Sequence, residues 1–147
     1  MDETETLDRD ELILQLQDHL VGLYATALRL PAGEPSESDV REAKHDGWSA
    51  LHHRLASKLG DFNDYSFIFD PYELDSAPVV SSLADDIASI YQDLKDGLAM
   101  IEESPDAAAW EWRESFKTHW GRHATHALYA VFSLTHPGSV QSIRRLA

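Results

Sequence analysis

Apolar side chains recur every three or four residues through four long segments of this chain, and this spacing constrains the fold more than any other feature. A helix turns by about 100° per residue, so side chains at this spacing share one face. A helix with one apolar face must bury it against another element. The first segment sets the pattern, with Ile13, Leu16, Leu20, Leu23, Ala27 and Leu30. The sequence therefore predicts an all-α fold, an antiparallel four-helix bundle or a close relative.

Capping residues, prolines and glycines place the boundaries of the four predicted helices. A serine or aspartate before an apolar run accepts hydrogen bonds from the first turn, and a glutamate three residues on completes a capping box. Proline suits the first turn and stops a helix elsewhere. The predicted helices begin after Asp8, at Ser36, at Ser81 or Ser82, and at Ser104 before Pro105; the first, second and fourth end near Pro31, Gly60 and His136.

The connection between the second and third helices, residues 61–77, is long and rich in aromatic side chains. Phe67 and Phe69 alternate with Ser66 and Ile68, which is compatible with a short extended piece. The Asp70-Pro71 step that follows indicates a turn. A connection with this much apolar surface is expected to pack over the bundle instead of lying free in solvent.

Length and composition indicate one ordinary globular domain. The chain has 147 residues and 43% hydrophobic residues, enough for a single core. We expect one helical domain over 1–147, with a flexible acidic N-terminus over 1–8 and a short C-terminal tail over 137–147. The acidic, polar start does not resemble a signal peptide, and no apolar run approaches a membrane span, so a cytoplasmic location is expected.

The charge balance and the absence of cysteine exclude several classes of function. The formal net charge is -14, so a phosphate backbone would be repelled and nucleic-acid binding is not expected. The chain has no cysteine, which excludes disulfides, thiol nucleophiles and cysteine zinc sites. It also lacks a glycine-rich phosphate loop. A protein partner or a homodimer remains compatible with this surface.

Several polar side chains fall on or beside the apolar faces of the third and fourth helices. His123 lies at the centre of the apolar face of helix four, with His119 on one edge and Arg113 on the other. Buried charges need partners. The sequence therefore predicts an inward polar cluster between helices three and four, made of His119, His123, Asp86, Asp93, Arg113 and Tyr91.

This cluster has three interpretations. It can be a satisfied hydrogen-bonded network that fixes the register of the helices. It can hold a divalent metal, because histidines four residues apart share one ion readily, with His119, His123, Asp86 and Asp93 as ligands. A di-iron bundle needs two Glu-x-x-His motifs, and only Glu42 to His45 fits. It can also perform acid–base chemistry, although no activated nucleophile accompanies the histidines.

A sequence motif around this cluster resembles a known family. Trp110 to Ala124 reads Trp-x-Trp-Arg-x-x-Phe-x-x-His-Trp-Gly-x-His-Ala, and Ser82 to Leu98 and Phe69-Asp70-Pro71-Tyr72 precede it. These segments resemble a bacterial family called domain of unknown function 5063, over roughly residues 10–135. The resemblance implies an all-helical domain of modest size in the cytoplasm. It implies no reaction, ligand or partner.

Two functions follow as predictions. The first is a small acidic cytoplasmic bundle of unknown function that acts as an interaction or accessory protein without a cofactor; whether it is also an enzyme is left open, with catalysis the less expected outcome. Its contact surface would be the aromatic segment 62–72 together with the acidic surface. The alternative is a bundle that binds a divalent metal or a small ligand at a His/Asp site between helices three and four, with hydrolytic chemistry as one outcome. An open pocket at the cluster would favour the alternative, and a closed network would favour the first.

Overall fold

The computed structural model describes residues 3–36 and 46–138. In chain order, the elements are α1 (Glu3–Ala27), α2 (Asp46–Leu59), β1 (Asp64–Phe67), β2 (Val79–Ser82), α3 (Leu83–Met100), α4 (Pro105–Ser115) and α5 (Gly121–Thr135). A 3-10 turn, Gly60–Phe62, follows α2, and a π-helical segment, Phe116–Trp120, joins α4 to α5. None of the described helices is both long and apolar enough to cross a membrane.

The protein is mostly helical, but the prediction of an all-α fold is wrong in one respect. Strands β1 and β2 pair antiparallel, from Asp64 opposite Ser82 to Phe67 opposite Val79. In β1, Tyr65 and Phe67 are half-buried, whereas Asp64 and Ser66 are exposed. Side chains of a strand alternate between its two faces, so this period of two places both aromatic rings on one face. In a helix, residues two apart would point in different directions. The sequence indicated an extended piece here but not the strand that pairs with it.

The predicted starts of the third and fourth helices are confirmed. The Ser82 hydroxyl accepts a hydrogen bond from the Asp85 amide at 3.0 Å, and the Ser104 hydroxyl accepts one from the Ala107 amide at 3.2 Å. Helix α1 begins at Glu3, earlier than the predicted start after Asp8. Residues 37–45, where helix two was predicted to begin, lie outside the described residues, and so does the predicted tail beyond residue 138.

Helix α3 is the centre of the packing that positions the site. It contacts α2, α4, α5 and the hairpin, while α1 packs mainly against α5. The buried core joins α1, α2, α3, the π-helical segment and α5 through apolar side chains such as Leu20, Leu59, Leu83, Trp120 and Val131. The carboxylate of Asp86 on α3 is buried among these apolar side chains, with only 1% of the residue exposed.

Candidate functional site

Asp86 lies at the centre of the candidate site, and each of its two carboxylate oxygens has a hydrogen-bond partner. The Tyr65 hydroxyl donates a hydrogen bond to Oδ2 at 2.5 Å, and the His123 Nδ1 atom lies 2.7 Å from Oδ1. An ionised carboxylate only accepts, so Nδ1 of His123 carries the proton in this bond. Two donors thus stabilise a charge whose burial would otherwise cost several kcal/mol.

A second, more exposed pair repeats this arrangement along the same helix. The His119 Nδ1 atom lies 2.6 Å from Oδ2 of Asp93, and the two side chains are 52% and 15% exposed. The rings of His119 and His123 meet edge to face, with their centroids 4.8 Å apart. Two histidines are therefore held side by side, each by a carboxylate from α3.

The structure brings four of the six predicted cluster residues together and leaves two outside. His119, His123, Asp86 and Asp93 form the two pairs. Tyr91 is 39% exposed and lies beside Lys95, whose Nζ atom is 5.3 Å from the centre of its ring. Within the part of the chain that the structure describes, Arg113 forms no ion pair with either aspartate. The predicted membership of these two residues needs correction.

The hydroxyl group of the cluster comes instead from Tyr65 in β1. Helical periodicity could not reveal it, because Tyr65 lies 21 residues before Asp86 in the connection between α2 and α3. The available signal was the alternation of Tyr65 and Phe67 with polar residues, which assigns both rings to one face of a strand. Burial and the hydrogen bond to Asp86 raise the pKa of Tyr65, so its hydroxyl stays protonated as a donor.

The π-helical segment changes how side chains before and after it are aligned. The Gly121 amide donates to the Phe116 carbonyl, five residues earlier, as well as to His119. A side chain at Gly121 would collide with that Phe116 carbonyl, so glycine allows the wide turn to pack here. Such insertions shift every later residue around the helix and are frequent at functional sites. A constant 100° per residue therefore misplaces Arg113 relative to His119 and His123.

A cavity of about 260 Å³ opens beside these pairs. The hairpin, α3, the π-helical segment and α5 form its walls. The Arg122 guanidinium lies over the Phe69 ring, 4.4 Å from its centre, and donates to the Phe69 carbonyl oxygen at 3.0 Å. The lining residues are Phe67, Phe69, Ser81, Asp86, Thr118, His119, Arg122, His123 and His126.

The pKa values of two histidines that line this cavity are shifted in opposite directions. The hydrogen bond to Asp86 raises the pKa of His123, and this effect outweighs the opposing effect of burial. Burial lowers the pKa of His126, whose ring packs against Phe67 with the centroids 4.1 Å apart. Groups in one site whose pKa values are driven apart can serve as proton donor and proton acceptor.

The metal ligands suggested by the structure differ from those predicted from the sequence. Among the described residues, Asp85, Asp86 and His123 each offer one ligand atom within 4.8 Å of the others, but the predicted set with His119 and Asp93 is not assembled in this way. Two oxygens and one nitrogen are an acceptable start for a divalent ion. Both Asp86 oxygens already accept hydrogen bonds, from Tyr65 and His123, so an ion here would share these oxygens with two existing donors.

The chain belongs to the family described as domain of unknown function (DUF5063), whose model matches residues 1–136. The chain is also similar to protein BF1032 from Bacteroides fragilis, which was solved as a structural genomics target. The TM-score is 0.70 at 23% sequence identity, and the match covers 86% of this chain and 77% of that one. At this identity the likeness shows a shared fold alone. No curated protein matches the chain.

Proposed function

We propose that this protein binds a small molecule in the cavity between the hairpin and α5, and that His123 exchanges a proton with it. The observation that carries the proposal is the asymmetric environment of the His123 ring. Nδ1 is fixed on the buried Asp86, while the same ring lines the cavity and its Nε2 atom has no hydrogen-bond partner among the described residues. A carboxylate that holds one imidazole nitrogen fixes the tautomer and leaves the other nitrogen for a ligand.

The polar groups of the cavity favour a ligand with a carboxylate or phosphate group. The charge of Asp86 is already compensated in part by the hydrogen bonds from Tyr65 and His123. Arg122 brings a permanent positive charge and, within the described residues, has no carboxylate partner. At about 260 Å³, the cavity is close to the lower end of small-molecule pockets, which begin near 300 Å³. A small oxyanion therefore fits better than a polymer.

The opposite pKa shifts of the two histidines suit a hydrolytic reaction. His126, with its lowered pKa, would accept a proton from water, and His123, with its raised pKa, would donate one to the leaving group. The bond to the leaving group breaks as the water oxygen bonds to the substrate, and each proton has a donor and an acceptor.

The architecture we propose around this site is the antiparallel bundle expected from the sequence, in a cytoplasmic protein.

Replacing Arg122 with glutamine is expected to weaken the binding of a small oxyanion. Inorganic phosphate and benzoate are the probes, followed through the shifts of the histidine ring resonances in NMR titrations. Loss of one charge-assisted interaction worth about 1.5–3 kcal/mol corresponds to a dissociation constant roughly 10- to 150-fold higher. Arg54→Gln, on the exposed surface of α2, is the matched control and should leave binding unchanged.

Two results would contradict this proposal. One is that neither probe shifts the His123 resonances at concentrations of about 10 mM, near the weak limit for fragments. The other is that the Arg122 and Arg54 variants respond equally. Zinc chloride added in place of the anion tests the competing metal site, because an ion held by Asp85, Asp86 and His123 would bind more weakly in Asp85→Ala.

A second candidate function, as an interaction or accessory protein, has its own supporting observation. The turn region of the hairpin exposes several large apolar side chains, and an exposed apolar patch is typical of a contact surface. These are Phe69, Tyr72, Leu74, Val79 and Val80. Changing Tyr72 and Leu74 together to serine would abolish capture of a protein partner under this hypothesis, and would leave oxyanion binding in the cavity unchanged.

A further inference from the structure

A second apolar stripe runs along α1 and into the turn that follows it, on a side that the described residues leave exposed. Leu14, Val21 and Leu28 are 60%, 51% and 65% exposed, and they follow one another at intervals of seven residues. A surface helix needs only one apolar face, and α1 already buries another through residues such as Leu16 and Leu20. Packing within residues 3–36 and 46–138 therefore gives no reason for the exposed stripe.

The stripe continues onto α5 and borders a groove. Tyr129 and Phe132 of α5 are also exposed, and together with Val21 they line a groove of about 450 Å³ between the two helices. An interval of seven residues is the spacing by which helices pair with each other through a seam of apolar side chains. A continuous patch of this kind marks an interaction surface.

We propose that a second copy of this chain covers this face, with the two α1 helices antiparallel and Val21 on the two-fold axis. Leu14 and Leu28 lie seven residues to either side of Val21, so this axis brings Leu14 of one protomer against Leu28 of the other. A two-fold interface requires such self-complementarity, because each surface meets its own copy. The groove beside Val21 receives side chains from the facing helix.

The charges at the two ends of the stripe select the antiparallel arrangement. Asp10 and Glu11 flank its beginning and Arg29 follows its end, and all three are exposed. With Val21 on the axis, Arg29 of one protomer comes within about one helical turn of the acidic pair of the other. Parallel pairing would instead place Arg29 against Arg29 and the acids against each other, which costs free energy.

The exposed area suits a dimer of moderate affinity. The five apolar side chains present on the order of several hundred Å² per protomer, since an aromatic residue alone presents 150–250 Å² when fully exposed. A standard interface buries about 800 Å² per partner, and polar residues around the stripe supply the remainder. We therefore expect a dissociation constant on the order of micromolar.

Sedimentation equilibrium of the full chain over a range of concentrations tests this interface. We expect reversible conversion from 16.5 kDa to twice that mass. Val21→Lys places two like charges on the axis and should raise the dissociation constant at least 10-fold, while Val80→Lys, an equally simple change on the exposed hairpin, should leave it unchanged. Circular dichroism verifies that both variants are folded.

Cysteine cross-linking tests the position of the axis directly, because the chain has no cysteine of its own. Val21→Cys should form a disulfide-linked dimer under mild oxidation, since residues on the axis approach their own copies, and Val80→Cys should not. A wild-type chain that stays monomeric at about 1 mM, near the weak limit for specific association, would overturn the proposal. So would a dimer that Val21→Lys leaves intact, because its interface would lie on another face.

Discussion

Replacing Asp86 with alanine is expected to destabilise the folded protein by about 3–5 kcal/mol, the usual cost of removing one partner from a buried ion pair. The substitution leaves the Tyr65 hydroxyl and the His123 Nδ1–H group without their acceptors, and it opens a void beside α5. A domain of this size has roughly 5–15 kcal/mol of stability in total. Urea denaturation at pH 6, below the ordinary histidine pKa of 6.5, should show the loss as a lower midpoint.

The Asp93→Ala variant is the matched control for this experiment. Asp93 lies on the same helix and makes a bond of the same type to His119, with a similar length of 2.6 Å. The difference is exposure, because His119 is 52% exposed and water can replace the lost carboxylate. We expect a loss below about 1 kcal/mol, as for other exposed pairs. Equal losses in the two variants would contradict the view that burial makes Asp86 special.

Replacing Gly97 with alanine is expected to destabilise the protein by about 1–3 kcal/mol or more, through overpacking. A methyl group at this position of α3 would overlap the indole ring of Trp112. The ring cannot move away easily, because its Nε1–H group donates to the Leu94 carbonyl at 2.9 Å. Thermal unfolding should therefore show a melting temperature lower by several degrees.

The same substitution at Gly22 should have the opposite sign. Nothing lies within 4 Å of a methyl group built at Gly22, in the exposed middle of α1. Alanine is favoured over glycine in a helix by about 0.5–1 kcal/mol, so Gly22→Ala should raise the melting temperature. If Gly97→Ala were also stabilising, the close packing of α3 against Trp112 would be wrong.

The sequence predicted those parts of the fold that depend on local signals. Ser82 and Ser104 begin helices because their side chains satisfy the free amides of the first turn, an effect that involves only neighbouring residues. The spacing of Asp86 and Asp93 likewise follows from helical geometry alone. The structure places both aspartates on the side of α3 that faces His119 and His123.

The features of the site that could not be predicted are contacts between distant segments and departures from helical periodicity. Tyr65 reaches Asp86 only because β1 pairs with β2, and strand pairing depends on long-range contacts. The π-helical segment shifts the angular position of His119 and His123 relative to Arg113, which no constant period describes. The contact between Arg122 and Phe69 joins residues 53 positions apart.

The hydrogen bond between Asp86 and His123 also makes stability depend on pH. This bond raises the pKa of His123 in the folded protein above the ordinary value of about 6.5 that we expect when the chain is unfolded. The pair therefore contributes its full stabilisation below that value, and the contribution is lost as the pH rises through the folded-state pKa.

An NMR titration of the His123 ring in the wild type and in Asp86→Asn shows directly whether Asp86 controls the protonation of this ring. The asparagine keeps the shape of the side chain and removes the charge that favours the protonated imidazole. We predict a wild-type pKa above the ordinary 6.5 and a value below it in the variant, where burial dominates. A wild-type His123 that titrates at or below its ordinary value, or a raised value that survives in Asp86→Asn, would show that Asp86 does not control this ring.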